Sequence, residues 1–199
     1  MSKITQIRQR ARNHLQKGKY DKAIEEYKRL TGMEKKNPNH FNELGDIFLK
    51  AGDSVQAVSS FEKAVVNYEK VALYNNAVAV CKKILRIIPD RIDTIYKLGE
   101  LRAKQKLGGE ARAYFSQFLD RVAADAESCG SGMQQKVCGI LELVPEAEEI
   151  LRKAADVFVA MGIKSSAVEI LTKLADDACR SGDREKEGLY RRQIETLRG

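Results

Sequence analysis

The chain has 199 residues, which is enough for one or two ordinary domains or for one array of small repeats. It is 43% hydrophobic and 32% charged, so it can bury a core beneath a charged surface. Alternating strand-type runs are absent, and no apolar run approaches the roughly 20 residues that a membrane-spanning helix needs. Because Ala, Leu, Lys, Glu and Arg dominate, the composition predicts an all-α protein.

The basic charge is confined to the N-terminal part of the chain. Residues 1–36 contain eleven basic and four acidic residues, which gives them the whole net charge of +7. The remaining residues contain 24 basic and 24 acidic residues and are neutral overall. The basic N-terminal helices could therefore bind an acidic protein, a nucleic-acid backbone or an anionic membrane surface.

The cysteines and the N-terminus favour a cytoplasmic protein. Cys81, Cys129, Cys138 and Cys179 form no CxxC pair and have no zinc-ligand spacing, which is typical of a reducing compartment. The first residues contain no apolar signal region.

The first predicted helices form a pair. Ile4, Ile7, Ala11 and Leu15 have helical spacing, a turn follows at Gly18, and the next apolar face includes Ala23. The twelve-residue step from Ala11 to Ala23 returns three times, as Gly45 to Ala57, Gly99 to Ala111 and Ala155 to Ala167. In each helix pair, a small residue of the first helix is followed twelve residues later by a small residue of the second. This regular spacing predicts a repeated helix–turn–helix unit.

The stretch 41–61 shows the unit most clearly. It reads Phe41-x2-Leu44-Gly45-x2-Phe48, then the turn at Gly52, then Ala57-x3-Phe61. Glycine inside a helix costs about 1 kcal/mol relative to alanine, so Gly45 indicates close approach of the neighbouring helix.

These residues resemble the tetratricopeptide repeat, a helix–turn–helix unit of 34 residues. The resemblance covers nearly the whole chain and is most specific at 38–71 and 92–125. It implies an α-solenoid of about eleven antiparallel helices in a right-handed superhelix, forming a single domain over 1–199. It also implies a concave groove, lined by the first helix of each pair, that binds extended peptides or helices.

A longer period of about 54 residues lies above the 34-residue one. No new helix pair begins directly after the helix that contains Ala57 and Phe61. We therefore predict that this helix is both the second helix of one pair and the first helix of the next. We therefore expect Val65, Val66 and Tyr68 to be buried. The predicted repeat units are 4–37, 38–91, 92–147 and 148–199, with a turn at 74–76 and a looser joint near 126–133.

Catalytic chemistry has little support in the sequence. His14 falls on an inward helical face, and His40 is expected to be exposed beside Pro38 and Asn39. No metal-ligand, phosphate-binding or nucleophile motif is present, so we predict neither a cofactor nor an enzyme.

The predicted binding residues lie one helical turn on either side of the small residue in each first helix. They are Arg8, Arg12, Asn42, Asp46, Tyr96, Glu100, Arg152 and Asp156. Some proteins of the resembled family grip a terminal carboxylate with Lys, Asn and Arg, whereas the corresponding positions here include acidic residues. A partner segment of mixed or complementary charge is therefore expected, and ordinary solvated helix faces are the alternative.

Three functions stay open at this point. The first is a protein-binding scaffold, the second a structural subunit of a homo- or hetero-oligomer, and the third a nucleic-acid-binding repeat. The sequence disfavours the third, because Tyr20 and Tyr27 are explained as turn and core residues and leave no stacking platform for bases.

Overall fold

The computed structural model describes residues 2–126 and 132–199, and the only regular secondary structure in them is α-helix. The predicted all-α fold of eleven helices is confirmed in this part of the chain. The helices are α1 (Lys3–Gln16), α2 (Tyr20–Met33), α3 (Pro38–Lys50), α4 (Ser54–Lys70), α5 (Tyr74–Ile87), α6 (Ile92–Lys104), α7 (Gly108–Ala124), α8 (Met133–Leu143), α9 (Glu148–Ala160), α10 (Lys164–Ser181) and α11 (Arg184–Arg198).

The helix bounds recur along the chain. The 13-residue helices α3, α6 and α9 begin at residues 38, 92 and 148, and the 17-residue helices α4 and α7 begin at 54 and 108. Two spacings are therefore present, 54 residues and then 56. The two additional residues fall between α7 and α8. The predicted joint lies there, but residues 127–131 are outside the described part of the chain.

Left-handed residues close the turns between helices. Gly52 has φ 84°, and the corresponding turns have Ala72 at φ 56° and Lys106 at φ 61°. Only glycine adopts this conformation without strain. The turn predicted at 74–76 is wrong, because α4 ends at Lys70 and those residues form the first turn of α5.

Gly45 and Gly99 admit an aromatic ring from the next helix. A Cβ at Gly45 would lie 2.5 Å from Cε1 of Phe61, and a Cβ at Gly99 would lie 2.4 Å from Cε1 of Phe115. Both rings are fully buried. The close approach predicted at Gly45 is therefore present, and the group that enters is a phenylalanine ring sixteen residues on.

The chain divides into two units, Met1–Thr94 and Ile95–Gly199. In the first unit α4 packs against both α3 and α5, as expected for a helix used twice. Val65 and Tyr68 are buried, and the Tyr68 hydroxyl donates to Asn39 Oδ1 at 2.6 Å. Val66 does not follow the prediction, because it is 46% exposed on the side of α4 that neither neighbour covers.

The second unit has its own aromatic core. Phe115, Phe118 and Phe158 are fully buried there, and α10 packs against both α9 and α11. Arg102 of α6 places its guanidinium 2.9 Å from Glu110 and donates to Gln105 Oε1 at 2.8 Å. An arginine thus occupies the position where Phe48 packs in α3, and α7 supplies the countercharge.

Candidate binding face

The first helices keep their small and apolar residues inside and leave the predicted polar residues accessible. Ala11, Leu44, Leu98 and Ala154 are buried, whereas all eight predicted binding residues are half-buried or exposed. We call the predicted residues of each unit its first-helix face. This face comprises Arg8, Arg12, Asn42 and Asp46 in the first unit, and Tyr96, Glu100, Arg152 and Asp156 in the second.

Arg8 contacts a buried histidine between α1 and α3. Its guanidinium lies 3.5 Å from His40 Nδ1, and His40 Nε2 lies 2.5 Å from Glu34 and 3.3 Å from Asn37. The expected exposure of His40 is wrong, since the side chain is fully buried. It is buried because hydrogen-bonding groups surround both ring nitrogens, which removes most of the cost of taking a polar ring out of water.

Hydrogen bonding also changes the acidity of the carboxyl beside His40. Hydrogen bonds from Asn37 and His40 hold the pKa of Glu34 below its ordinary value. Glu34 belongs to the connection between α2 and α3, so the ionised carboxylate ties this connection to α3.

Arg12 lies near Tyr27 of α2. Burial and the neighbouring carboxylate of Glu43, with which it is hydrogen-bonded, raise the pKa of Tyr27 to about 12. The charges of Arg8 and Arg12 oppose that shift, which places both guanidinium groups close to Tyr27. Arg12 itself is exposed.

Asn42 and Asp46 are joined by a lysine that sequence reasoning missed. Lys83 of α5 donates to Asn42 Oδ1 at 3.0 Å and to the two carboxylate oxygens of Asp46 at 2.6 and 2.8 Å. Its Nζ also lies 5.2 Å from the centroid of the Phe61 ring. Only the pairing of α5 beside α3 brings Lys83 into this face, so local sequence spacing contained no signal for it.

Tyr96 and Glu100 interact with each other in the second unit. Burial and the hydrogen-bonded carboxylate of Glu100 raise the pKa of Tyr96 to about 12. The Tyr96 ring packs against Phe118 with centroids 5.2 Å apart, and Nζ of Lys136 lies 5.8 Å from its centroid. Tyr96 is therefore held between α6, α7 and α8.

Arg152 and Asp156 are both exposed on α9. Their side chains are 49% and 56% exposed, and the guanidinium and carboxylate lie 3.7 Å apart. Asp156 also lines a cleft of about 280 Å³ between α9 and α11. A pair this exposed contributes little to stability and leaves both groups available to a ligand.

Part of the N-terminal basic charge is used inside the fold. Arg10 and Arg29 both contact the buried carboxylate of Glu26, at 3.1 and 3.4 Å. Several other cations are exposed and form no ion pair with any described residue. They are Lys3, Arg12, Lys17, Lys19 and Lys22.

Two kinds of site are absent from residues 2–126 and 132–199. Neither a group of His, Cys, Asp and Glu suited to a metal ion nor a helix long and apolar enough to cross a membrane is found in them. Cys138 and Cys179 are free thiols on the surface.

Comparison with known proteins identifies the repeats. Residues 8–72, which span α1 to α4, match a tetratricopeptide-repeat family model. The comparison with curated proteins gives no match.

Several solved structures are similar at low identity. The C-terminal part of a tetratricopeptide-repeat protein from Cytophaga hutchinsonii is 18% identical, covers 98% of this chain and 83% of its own, and has a TM-score of 0.40. A tetratricopeptide-repeat protein from Parabacteroides merdae is 14% identical (98% and 93% covered, TM-score 0.30). MamA from Desulfovibrio magneticus is 18% identical (87% and 93% covered, TM-score 0.32). The match over residues 8–72 identifies tetratricopeptide repeats in α1 to α4, and further helix pairs follow in the rest of the described chain.

Proposed function

We propose that the protein is a non-catalytic adaptor whose first-helix faces bind a peptide or helical segment of a partner protein. One observation carries the proposal. The eight predicted residues are all accessible, while the apolar residues beside them in the same helices fill the core. Tetratricopeptide repeats serve in protein–protein interaction or assembly, and these side chains are among the polar groups that the first helices present.

The charge of each face indicates what it would bind. In the first unit, Arg12 and the unpaired lysines of α1 and α2 favour an acidic segment at the N-terminal helices. Further along the same unit, Lys83 already neutralises Asp46, so this part of the face favours hydrogen bonds over further cations. We place the interaction in a reducing compartment such as the cytoplasm, because Cys138 and Cys179 are surface thiols without a disulfide.

Site-specific photo-crosslinking tests the proposal. A photoreactive amino acid is placed at Arg12 of α1 or at Arg152 of α9, and cells that contain the variant are irradiated. Matched control positions are Lys63 of α4 and Glu169 of α10, which are also exposed but belong to second helices. We expect the same partner protein to be captured at the two first-helix positions and not at the controls.

Two other results would replace the proposal. Capture at Lys63 and Glu169 alone would favour a structural subunit that assembles through its second helices. Captured nucleic acid, with binding that weakens steeply as salt is raised, would favour a nucleic-acid-binding repeat at the basic N-terminal helices.

A further inference from the structure

One position on the third helix of each three-helix repeat faces the predicted binding residues. Helices α3–α5 and α9–α11 correspond at a constant spacing of 110 residues, from 38 to 148, so Lys83 corresponds to Gln193. The end of α8 lies 56 residues after the end of α5, so Gly139 is the corresponding residue there. The three repeats thus have Lys, Gly and Gln at one position.

The first two repeats fill this position with their own side chains. The ammonium group of Lys83 lies within 3.0 Å of both Asn42 and Asp46. At Gly139 the phenol of Tyr96 takes up the space, because a Cβ there would lie 3.1 Å from the Tyr96 hydroxyl oxygen. In these two repeats the position is therefore already occupied by a group of the protein itself.

The third repeat leaves the position open. A cleft of about 280 Å³ separates α9 from α11, and its lining is mainly apolar. The residues that line it are Ala155, Asp156, Val159, Leu171, Gln193, Thr196 and Leu197. Oε1 of Gln193 is buried and has no hydrogen-bond partner within the described part of the chain.

The side-chain oxygens of Asp156, Gln193 and Thr196 in this cleft can act as acceptors. The hydroxyl of Thr196 already donates to the carbonyl of Arg192 at 3.0 Å, so its hydrogen is not available. Asp156 contributes a carboxylate that Arg152 approaches only to 3.7 Å. A buried acceptor without a donor is costly, so the cleft favours a ligand that supplies an N–H group.

We propose that the α9–α11 cleft binds an aliphatic side chain that lies next to a lysine or arginine in a segment of the partner protein. The aliphatic group fills the space above Leu171 and between Val159 and Leu197. The neighbouring cation donates to Asp156 and Gln193, as Lys83 donates to Asp46 and Asn42 inside the first unit. This inference rests on the proposed function and assigns its partner chemistry at one end of the second unit.

Binding of short peptides to the full-length protein tests the inference. The probe is acetyl-Lys-Leu-Lys-amide, followed through the NMR resonances of the Gln193 side-chain amide and the Val159 methyl groups. The acidic analogue acetyl-Glu-Leu-Glu-amide is the matched probe. We expect the cationic peptide to shift both sets of resonances in a saturable manner, with an affinity about tenfold above that of the acidic peptide.

Two variants separate the cleft from the rest of the protein. Gln193→Lys copies the arrangement of the first repeat and should close the cleft, because its ammonium would reach Asp156. Val159→Trp fills the cleft with a ring. Leu49→Trp is the control, since Leu49 lies 110 residues before Val159 in α3 and is similarly exposed. We expect the first two to weaken peptide binding at least about tenfold, and the control to bind like the wild type.

The outcomes distinguish this inference from the proposed function. Equal binding of the acidic peptide, or unchanged binding by Gln193→Lys, would overturn it. If the partner is still captured at Arg12 and Arg152 in the Gln193→Lys variant, the proposed adaptor function stands. Binding of the partner in the α9–α11 cleft is then contradicted. Concentration-dependent self-association that Gln193→Lys abolishes would show that a second copy of the chain occupies the cleft, which also contradicts the inference.

Discussion

Replacement of Gly45 by alanine tests the interlocking of α3 with α4. Outside this site, alanine in a helix is more stable than glycine by about 1 kcal/mol. At Gly45 the added Cβ would lie 2.5, 2.6 and 2.9 Å from three carbons of the Phe61 ring. Ordinary carbon–carbon contacts are about 3.5–4.0 Å, so the ring must move by about 1 Å inside a fully buried site.

The expected cost follows from these distances. Overpacking of a core costs about 1–3 kcal/mol, and the gain in helix propensity offsets about 1 kcal/mol of it. We therefore expect Gly45→Ala to lower the free energy of unfolding by about 1 kcal/mol. The measurement is urea unfolding followed by circular dichroism. The control is Gly188→Ala in α11, where the nearest atom outside the local backbone lies 3.7 Å from the new Cβ and belongs to the flexible Arg192 side chain.

The chain itself suggests the compensating change. In the third repeat, Ala155 and Leu171 occupy the positions of Gly45 and Phe61. The double variant Gly45→Ala/Phe61→Leu should therefore lose less stability than the sum of the two single variants. If Gly45→Ala is as stabilising as Gly188→Ala, the ring does not depend on the missing Cβ and the packing argument fails.

Three further predictions concern a turn, a buried side chain and an acid-sensitive contact. Lys106→Gly should raise the free energy of unfolding by about 1 kcal/mol in urea, because the residue is left-handed; a decrease would contradict this. His40→Ala should lower it by about 2–3 kcal/mol, because it leaves a cavity and removes a hydrogen-bond partner of Glu34, and an unchanged midpoint would show that this cluster is not structural. Hydrogen bonds from Lys186 and Tyr190 lower the pKa of Glu148 in the folded state, so its stabilisation is present above the unfolded pKa and is lost as the pH falls through the lowered value. The wild type should therefore lose more melting temperature than Glu148→Gln between neutral pH and pH 3, and parallel curves would refute that assignment.

The helical pairs could be predicted because their packing rule is local. Each of the small residues Gly45 and Gly99 precedes the residue that packs against it on the next helix by the same number of positions in the sequence. The helix pairs, the 54-residue spacing of α3 and α6 and the double use of α4 follow from this pattern. The accessible residues of the first helices follow as well, because a helix that buries one side must present the other.

Long-range polar contacts could not be predicted in the same way. One of the groups around the buried His40 ring is Arg8, which is 32 residues earlier, and the neutralisation of Asp46 depends on Lys83, which is 37 residues later. Val66 was misassigned because an apolar residue next to a buried position need not itself be covered. The turn at Ala72 was missed because alanine gives no sequence signal for a left-handed conformation.

The central claim is that the first-helix faces bind the partner. Hydrogen exchange tests it most directly, with the protein that crosslinking identifies purified and added as the partner. The protein alone is compared with the complex, and the exchange of backbone amides is followed for each helix. We predict that binding slows exchange in the first helices α1, α3, α6 and α9 more than in α2, α4, α7 and α10. Slowing confined to α2, α4, α7 and α10 would contradict the first-helix faces as the binding surface.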